Sequence, residues 1–346
     1  MATKGLIQRL KDGPVICAEG YLFEMERRGY LQAGAFVPEV VVEYPEVVRQ
    51  LHRDFAHAGS DVMEAFTYYA HREKMRLIGR EDELEAINRQ ALRIAREVAG
   101  EYDCLLAGNI CNTNIYEPDN AASADAVRAI FAEQVRWAAD EGADYIVAET
   151  IAFAGEAAIA LDVISQTGLP AVITLAAHRS SELRDGLTVA EACRMLEKNG
   201  ADVVGLNCAR GPDTMLPLLE EIAAVCTVPL AALPVPYRTT AAEPNFQALT
   251  DPCHAHPEDE RPFPTHLDPM TCTRTEIADF TKRATGIGVS YLGVCCGAGP
   301  HHIRAMAEAL GRRPPASRYS ADMSKHYALG DDPSFKEHNL DYGQKL

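Results

Sequence analysis

Eight short apolar runs recur along the chain, each separated from the next by a stretch of helical periodicity, and this alternation constrains the fold more than any other feature. The runs are PVICAEG (14–20), SDVMEAF (60–66), DCLLAGN (103–109), DYIVAET (144–150), PAVITLAA (170–177), DVVGLNC (202–208), PLAALPV (229–235) and VSYLGVC (289–295). Each is nearly continuous in hydrophobicity, as parallel strands buried on both faces are. Eight such strands alternating with helices predict an α/β chain, a (β/α)8 TIM barrel, and 346 residues suit one. A doubly wound open sheet is the alternative. Neither GxGxxG nor GxxxxGK[ST] follows a strand, so the nucleotide-phosphate fingerprints are missing.

The intervening segments carry helix punctuation. PEVVRQLHRDFAHAG (45–59) opens on proline and closes on glycine, and DELEAINRQALRIAREVAG (82–100) repeats the pattern with Asp82 as the expected cap. EGADYI, KNGADVV and GIGVSYL each read as helix end, glycine turn and next strand. Two segments break the rhythm. Residues 236–272, after the seventh run, form a long, polar, proline-rich connection of the kind that serves as a lid or surface insertion. From GRRPPAS (311–317) onward the chain is polar with scattered aromatics. The expected division is a barrel domain over 1–311 and a C-terminal extension over 312–346 that serves as an oligomerisation arm.

A net charge of −17 argues against nucleic acid and anionic membranes as partners. Lys11 and Asp12 interrupt the early apolar residues, no secretory signal is visible, and no uncharged run reaches the ~18–20 residues of a membrane span. A cytoplasmic protein is expected, with its ten cysteines mostly reduced.

In a (β/α)8 barrel the active site lies at the C-terminal ends of the strands. Those ends carry Glu19 and Gly20, then Phe66 to Tyr69, Asn109, Glu149, His178, Asn207 with Cys208, Pro234 to Tyr237, and Cys295 with Cys296. Cys295 and Cys296 are adjacent, and adjacent strand residues face opposite ways. Past a strand end the chain is free to bend, and Gly297 and Gly299 permit the bend. Both thiols can then turn to one point, where Cys208 can meet them. Three thiolates with a fourth position open are the ligand set of a catalytic zinc. From spacing alone the same residues also fit as buried apolar thiols.

GLNC (205–208) paired with GVCCG (293–297) resembles the zinc-dependent homocysteine S-methyltransferase family, and particularly its betaine-using members. ERRGYLQAG (26–34), the stretch 45–70, IVAET (146–150), TRTEIADF (273–280) and the stretch 291–310 carry the likeness further, over roughly residues 5–320. The resemblance implies the barrel, Zn²⁺ on Cys208, Cys295 and Cys296, Glu149 on the amino group of the acceptor and Tyr69 against the donor. From their positions, Glu19 and Gly20 at the end of the first strand are further acceptor-binding candidates, and the Phe36 ring and Tyr237, after the seventh strand, are further donor-binding candidates. The resemblance also implies methyl transfer from an onium donor, glycine betaine or a related betaine, to the thiolate of homocysteine, giving methionine, in a homo-oligomer.

Two positions depart from the family. Ala18 and Glu19 stand where its members carry Asp-Gly, so Glu19 is expected to reach the acceptor's ammonium from one residue along. Phe36 stands where close relatives carry tryptophan, which keeps a ring face with weaker cation–π attraction. These changes leave room for a sulfonium compound or another betaine as donor, or a different thiol acceptor. A non-catalytic zinc- or redox-binding regulator is the reading outside enzymes. His178 has no counterpart in the family and reads as a solvated loop residue.

Overall fold

The computed structural model describes residues 4–251 and 261–346. All eight apolar runs are strands: β1 (Val15–Ala18), β2 (Val62–Glu64), β3 (Leu105–Cys111), β4 (Tyr145–Ile151), β5 (Ala171–Leu175), β6 (Val203–Asn207), β7 (Leu230–Leu233) and β8 (Val289–Val294). All pair in parallel in sequence order, and β1 pairs β8 with Val15 opposite Tyr291 and Ala18 opposite Val294. That last pairing closes the barrel and disposes of the open sheet.

Eight helices cross over outside: α1 (Pro45–Ala58), α2 (Leu84–Tyr102), α3 (Ala121–Asp140), α4 (Ala154–Ser165), α5 (Val189–Lys198), α6 (Pro212–Ala223), α7 (Arg274–Ile287) and α8 (Pro300–Ala309). Helix α1 starts on its proline and stops at left-handed Gly59, as its sequence predicts. Helix α2 differs from expectation. Asp82 lies in a separate 3-10 turn, Glu81–Glu83, and caps nothing; the helix runs through Gly100 and ends where Asp103 turns left-handed. Buried Val98 and Ala99 hold that last turn against the barrel, and packing outweighs the weak helix propensity of one glycine.

The strands are tied two by two. Asp61, Asp144 and Asp202 each immediately precede an even-numbered strand, and each carboxylate accepts from a backbone N–H beginning the strand before it: Ile16 (2.8 Å), Leu106 (2.8 Å) and Ala171 (2.9 Å). The matching position before β8 is Gly288, and the β7–β8 register shifts between Leu230 and Ala231.

Apolar side chains fill the lumen. Val15, Cys17, Val62, Leu105, Val147, Val172 and Leu233 pack around Tyr145 and Tyr291, whose hydroxyls are 2.9 Å apart. Leu6 and Leu10 join the same cluster, so the helix Leu6–Asp12 stoppers the lower end. The connection after β7 is described on either side of 252–260, and those nine residues of the expected 236–272 insertion lie outside the described residues. Its two ends pair: Arg238 N–H donates to Met270 (2.9 Å) and Cys272 N–H to Pro236 (2.8 Å). The C-terminal extension carries a short helix, Glu337–Gly343, and leaves Tyr319, Met323, Tyr327, Leu329 and Leu346 exposed. Among the described residues no helix is long and apolar enough to cross a membrane.

Candidate active site

The upper end of the lumen is where the barrel stops being apolar. Cys208 follows β6 directly and is fixed by its N–H donating to Leu233 (2.9 Å); Cys295 follows β8 and donates to Pro234 (2.8 Å). Beyond Cys296 the chain turns at Gly297, whose φ is +94°. A Cβ there would lie 2.2 Å from the Tyr237 hydroxyl, so glycine is required twice over, by conformation and by space. The turn brings the Cys295 and Cys296 sulfurs to 3.9 Å, and the three thiols Cys208, Cys295 and Cys296 all lie within 4.8 Å of one another. Hydrogen bonds from its two neighbours hold the Cys208 thiol well below its ordinary pKa, while burial pushes Cys295 well above.

Beside the thiols lie three buried carboxylates, Glu19, Glu64 and Glu149. Two amides separate them. Asn109 Nδ2 donates to Glu149 (2.6 Å) and to Glu64; Asn207 Nδ2 donates to Glu149 (2.7 Å) and Glu19 (3.3 Å). Cys17 Sγ donates to the other Glu64 oxygen (3.2 Å), while Glu19 Oε1 has no partner. Burial, and then the neighbouring carboxylates, raise Glu19 and Glu149 well above the ordinary carboxylate range; burial pushes Glu64 up to about 7. These groups border a space of about 20 Å³ that touches Cys295 and Cys296. It has room for one small polar group, and the surrounding charge selects a cationic one.

A larger cavity of about 330 Å³ opens outward from Cys208 and Cys296. Its walls are aromatic: Phe23, Phe36, Tyr68, Tyr69 and Phe153 from the barrel loops, and Phe246 and Phe263 from the connection after β7. Of the eight non-glycine residues with positive φ among the described residues, six line this cavity: Phe36, Tyr69, Asn114, Thr150, Cys208 and Ala209. Backbone of this kind costs about 1–3 kcal/mol per residue and collects at functional sites.

The site residues expected from sequence are only partly brought together. Cys208, Cys295, Cys296, Glu149 and Glu19 converge, and Tyr69 and Phe36 line the cavity. Tyr237 does not line it. That ring is wholly buried, stacks on Phe246 at 5.7 Å and accepts from Arg27 (3.0 Å), so it supports the thiol turn from behind. Gly20 lines neither space; a Cβ there would lie 2.3 Å from the Ala298 carbonyl oxygen, which makes it a packing position. His178 is half-buried in the cavity wall rather than solvated, and burial lowers its pKa. Sequence reasoning missed Glu64. Its signal was an acid inside SDVMEAF, a run otherwise buried on both faces.

The sequence profile named homocysteine S-methyltransferase matches residues 20–310. The chain belongs to the homocysteine S-methyltransferase family. Membership makes it an S-methyltransferase, with homocysteine as the family's acceptor. It is 35% identical over 329 residues to the S-methylmethionine–homocysteine S-methyltransferase BHMT2 of Pongo abelii, covering 91% of this chain and 85% of that one. It is also 35% identical over 361 residues to betaine–homocysteine S-methyltransferase 1 of Xenopus tropicalis, covering 100% of this chain and 86% of the relative. In fold it matches the metallated homocysteine methyltransferase MmuM of Escherichia coli with a TM-score of 0.68 at 20% identity, over 87% of this chain and 99% of that one.

Proposed function

We propose that the protein moves a methyl group from an onium donor, glycine betaine or a related betaine, to the sulfur of homocysteine, with zinc held by Cys208, Cys295 and Cys296. The observation that carries the reading is the thiol cluster. Sulfurs placed tetrahedrally about 2.3 Å from one centre stand about 3.8 Å apart, and Cys295 and Cys296 stand 3.9 Å apart. Zinc in a three-thiolate site supplies a Lewis acid that lowers the pKa of an added thiol.

The chain's own residues do the rest. Glu149 and Glu19 share the Asn207 amide and face the small space, so an ammonium there finds acceptors on two sides. The aromatic cavity receives the onium by cation–π attraction, chiefly through Tyr69. Lys74 Nζ sits 4.0 Å from the Tyr69 ring centroid and the Tyr68 ring 4.3 Å from it, so the ring is held in place in the cavity wall. In the transfer the sulfur–carbon bond forms as the carbon–nitrogen bond breaks. The electron pair stays on nitrogen, which becomes a neutral amine while the donor keeps its carboxylate, and the thiol proton goes to solvent. An aromatic cavity suits a step in which the positive charge on nitrogen disappears.

Labelled methionine, formed by zinc-loaded protein from homocysteine and methyl-labelled glycine betaine, is the expected product by mass spectrometry. Zinc-replete protein that makes no methionine from glycine betaine, other betaines or sulfonium donors would sink the proposal. For assembly, we propose that the exposed apolar residues of the C-terminal extension contact a second copy. Removing 319–346 should lower the number of copies per particle found by light scattering, and an unchanged number would refute that role.

A further inference from the structure

We infer that Arg184 is the carboxylate anchor of the large cavity, which makes the donor a zwitterionic onium carboxylate rather than a simple onium cation. The inference rests on the methyl-transfer reading above. Among the described residues lining the cavity, Arg184 is the only lysine or arginine. Its guanidinium lies 4.8 Å from the Phe153 ring centroid and makes no hydrogen bond or ion pair among the described residues.

Many arginines in this chain of net charge −17 find carboxylates, among them Arg49 on Glu97, Arg53 on Glu101 and Arg72 on Glu133. Others, such as Arg136 over Trp137, find none among the described residues, and what sets Arg184 apart is its place in the wall of the aromatic cavity. The carboxylate beside Arg184 in the cavity wall, Glu156, makes no ion pair with it and accepts the Thr113 N–H (2.8 Å) and hydroxyl (2.6 Å) on a single oxygen, Oε1. An unpaired guanidinium stacked on a ring keeps its flat donor fork free for a planar anion.

The loop that carries Arg184 is fixed. Arg184 N–H donates to Ala152 (2.9 Å), Gly155 N–H donates to Asp185 (2.9 Å), and Arg210 reaches across to the Ser180 carbonyl (2.9 Å). The cation is therefore preorganised on the same wall that presents Phe153. A ligand with an onium at one end and a carboxylate at the other is read at both ends, by rings near the thiols and by Arg184 at the mouth. A donor without the carboxylate leaves Arg184 unused.

The test is titration calorimetry on zinc-loaded protein with methionine filling the acceptor side, using glycine betaine and choline as probes. Wild-type protein should bind glycine betaine more tightly than choline. Arg184→Gln should weaken glycine betaine about 10- to 100-fold, the worth of a charge-assisted contact, and leave choline within about twofold. Arg184→Lys should recover part of the loss. Unchanged glycine betaine affinity in Arg184→Gln, equal loss for both probes, or no binding of glycine betaine to the wild type would each overturn the assignment. Protein that binds glycine betaine through Arg184 but forms no methionine would break the methyl-transfer reading and leave the anion site standing.

Discussion

The lower and upper halves of the barrel lumen are built from the same eight strands and end in opposite states. Below, Tyr145 and Tyr291 satisfy one another inside an apolar cluster. Above, three carboxylates crowd two amides, Glu19 Oε1 lacks a partner, and six residues hold left-handed backbone around the cavity. The lower half spends its residues on stability, and the upper half keeps unfavourable groups in place for a ligand. Substitutions below should therefore cost stability and spare activity, and substitutions above should do the reverse.

The largest effect should come from Cys208→Ser, which is expected to lower zinc content and methyl transfer more than about 100-fold, going beyond what loss of an outer-shell partner causes. Metal analysis and methionine formation read both, and full activity would break the zinc assignment. Glu149→Gln sharpens the contrast. It should raise KM for homocysteine about 10- to 100-fold through loss of a charge-assisted contact, with the melting temperature unchanged or higher because one buried charge is gone. A lower melting temperature with unchanged KM would make Glu149 a structural residue.

Glu64 gives the contrast a pH dependence. Its folded pKa of about 7 lies above the ordinary 4.5, so the folded state holds the proton more tightly and stability falls as pH rises from about 4.5 to 7. Urea unfolding of the zinc-free protein at pH 5 and 7.5 should show this loss in the wild type and a smaller one in Glu64→Gln. Equal pH slopes would remove Glu64 from the strained set. The smallest effect belongs below. Tyr291→Phe orphans the Tyr145 hydroxyl and should cost about 1–3 kcal/mol of stability with methyl transfer unchanged. Lost activity without lost stability would erase the distinction between the halves.

Much of this was legible in the sequence because it rests on periodicity and on punctuation. All eight runs are strands, and the left-handed glycines at 142, 200 and 288 sit where the sequence puts them. The cysteines were legible because strand ends in a barrel point to one place. Side-chain direction past a strand end was not legible. Position after β7 points Tyr237 at the donor, yet it packs under Gly297; position in a loop points His178 at solvent, yet it walls the cavity. Glu64 was hidden because an acid within a buried strand is intelligible only once Asn109 and Cys17 stand beside it.

The aspartate ties have a mechanical consequence. They fasten β1 to β2, β3 to β4 and β5 to β6, while Gly288 leaves β7 and β8 without one. The unfastened pair is the one that ends in Pro234 and in the Cys295–Cys296 turn, bonded to each other through a single N–H there. Two of the three clustered thiols are thus mounted on the one odd–even strand pair that has no aspartate tie, and their placement rests on the Gly297 turn and the Cys295 N–H bond instead.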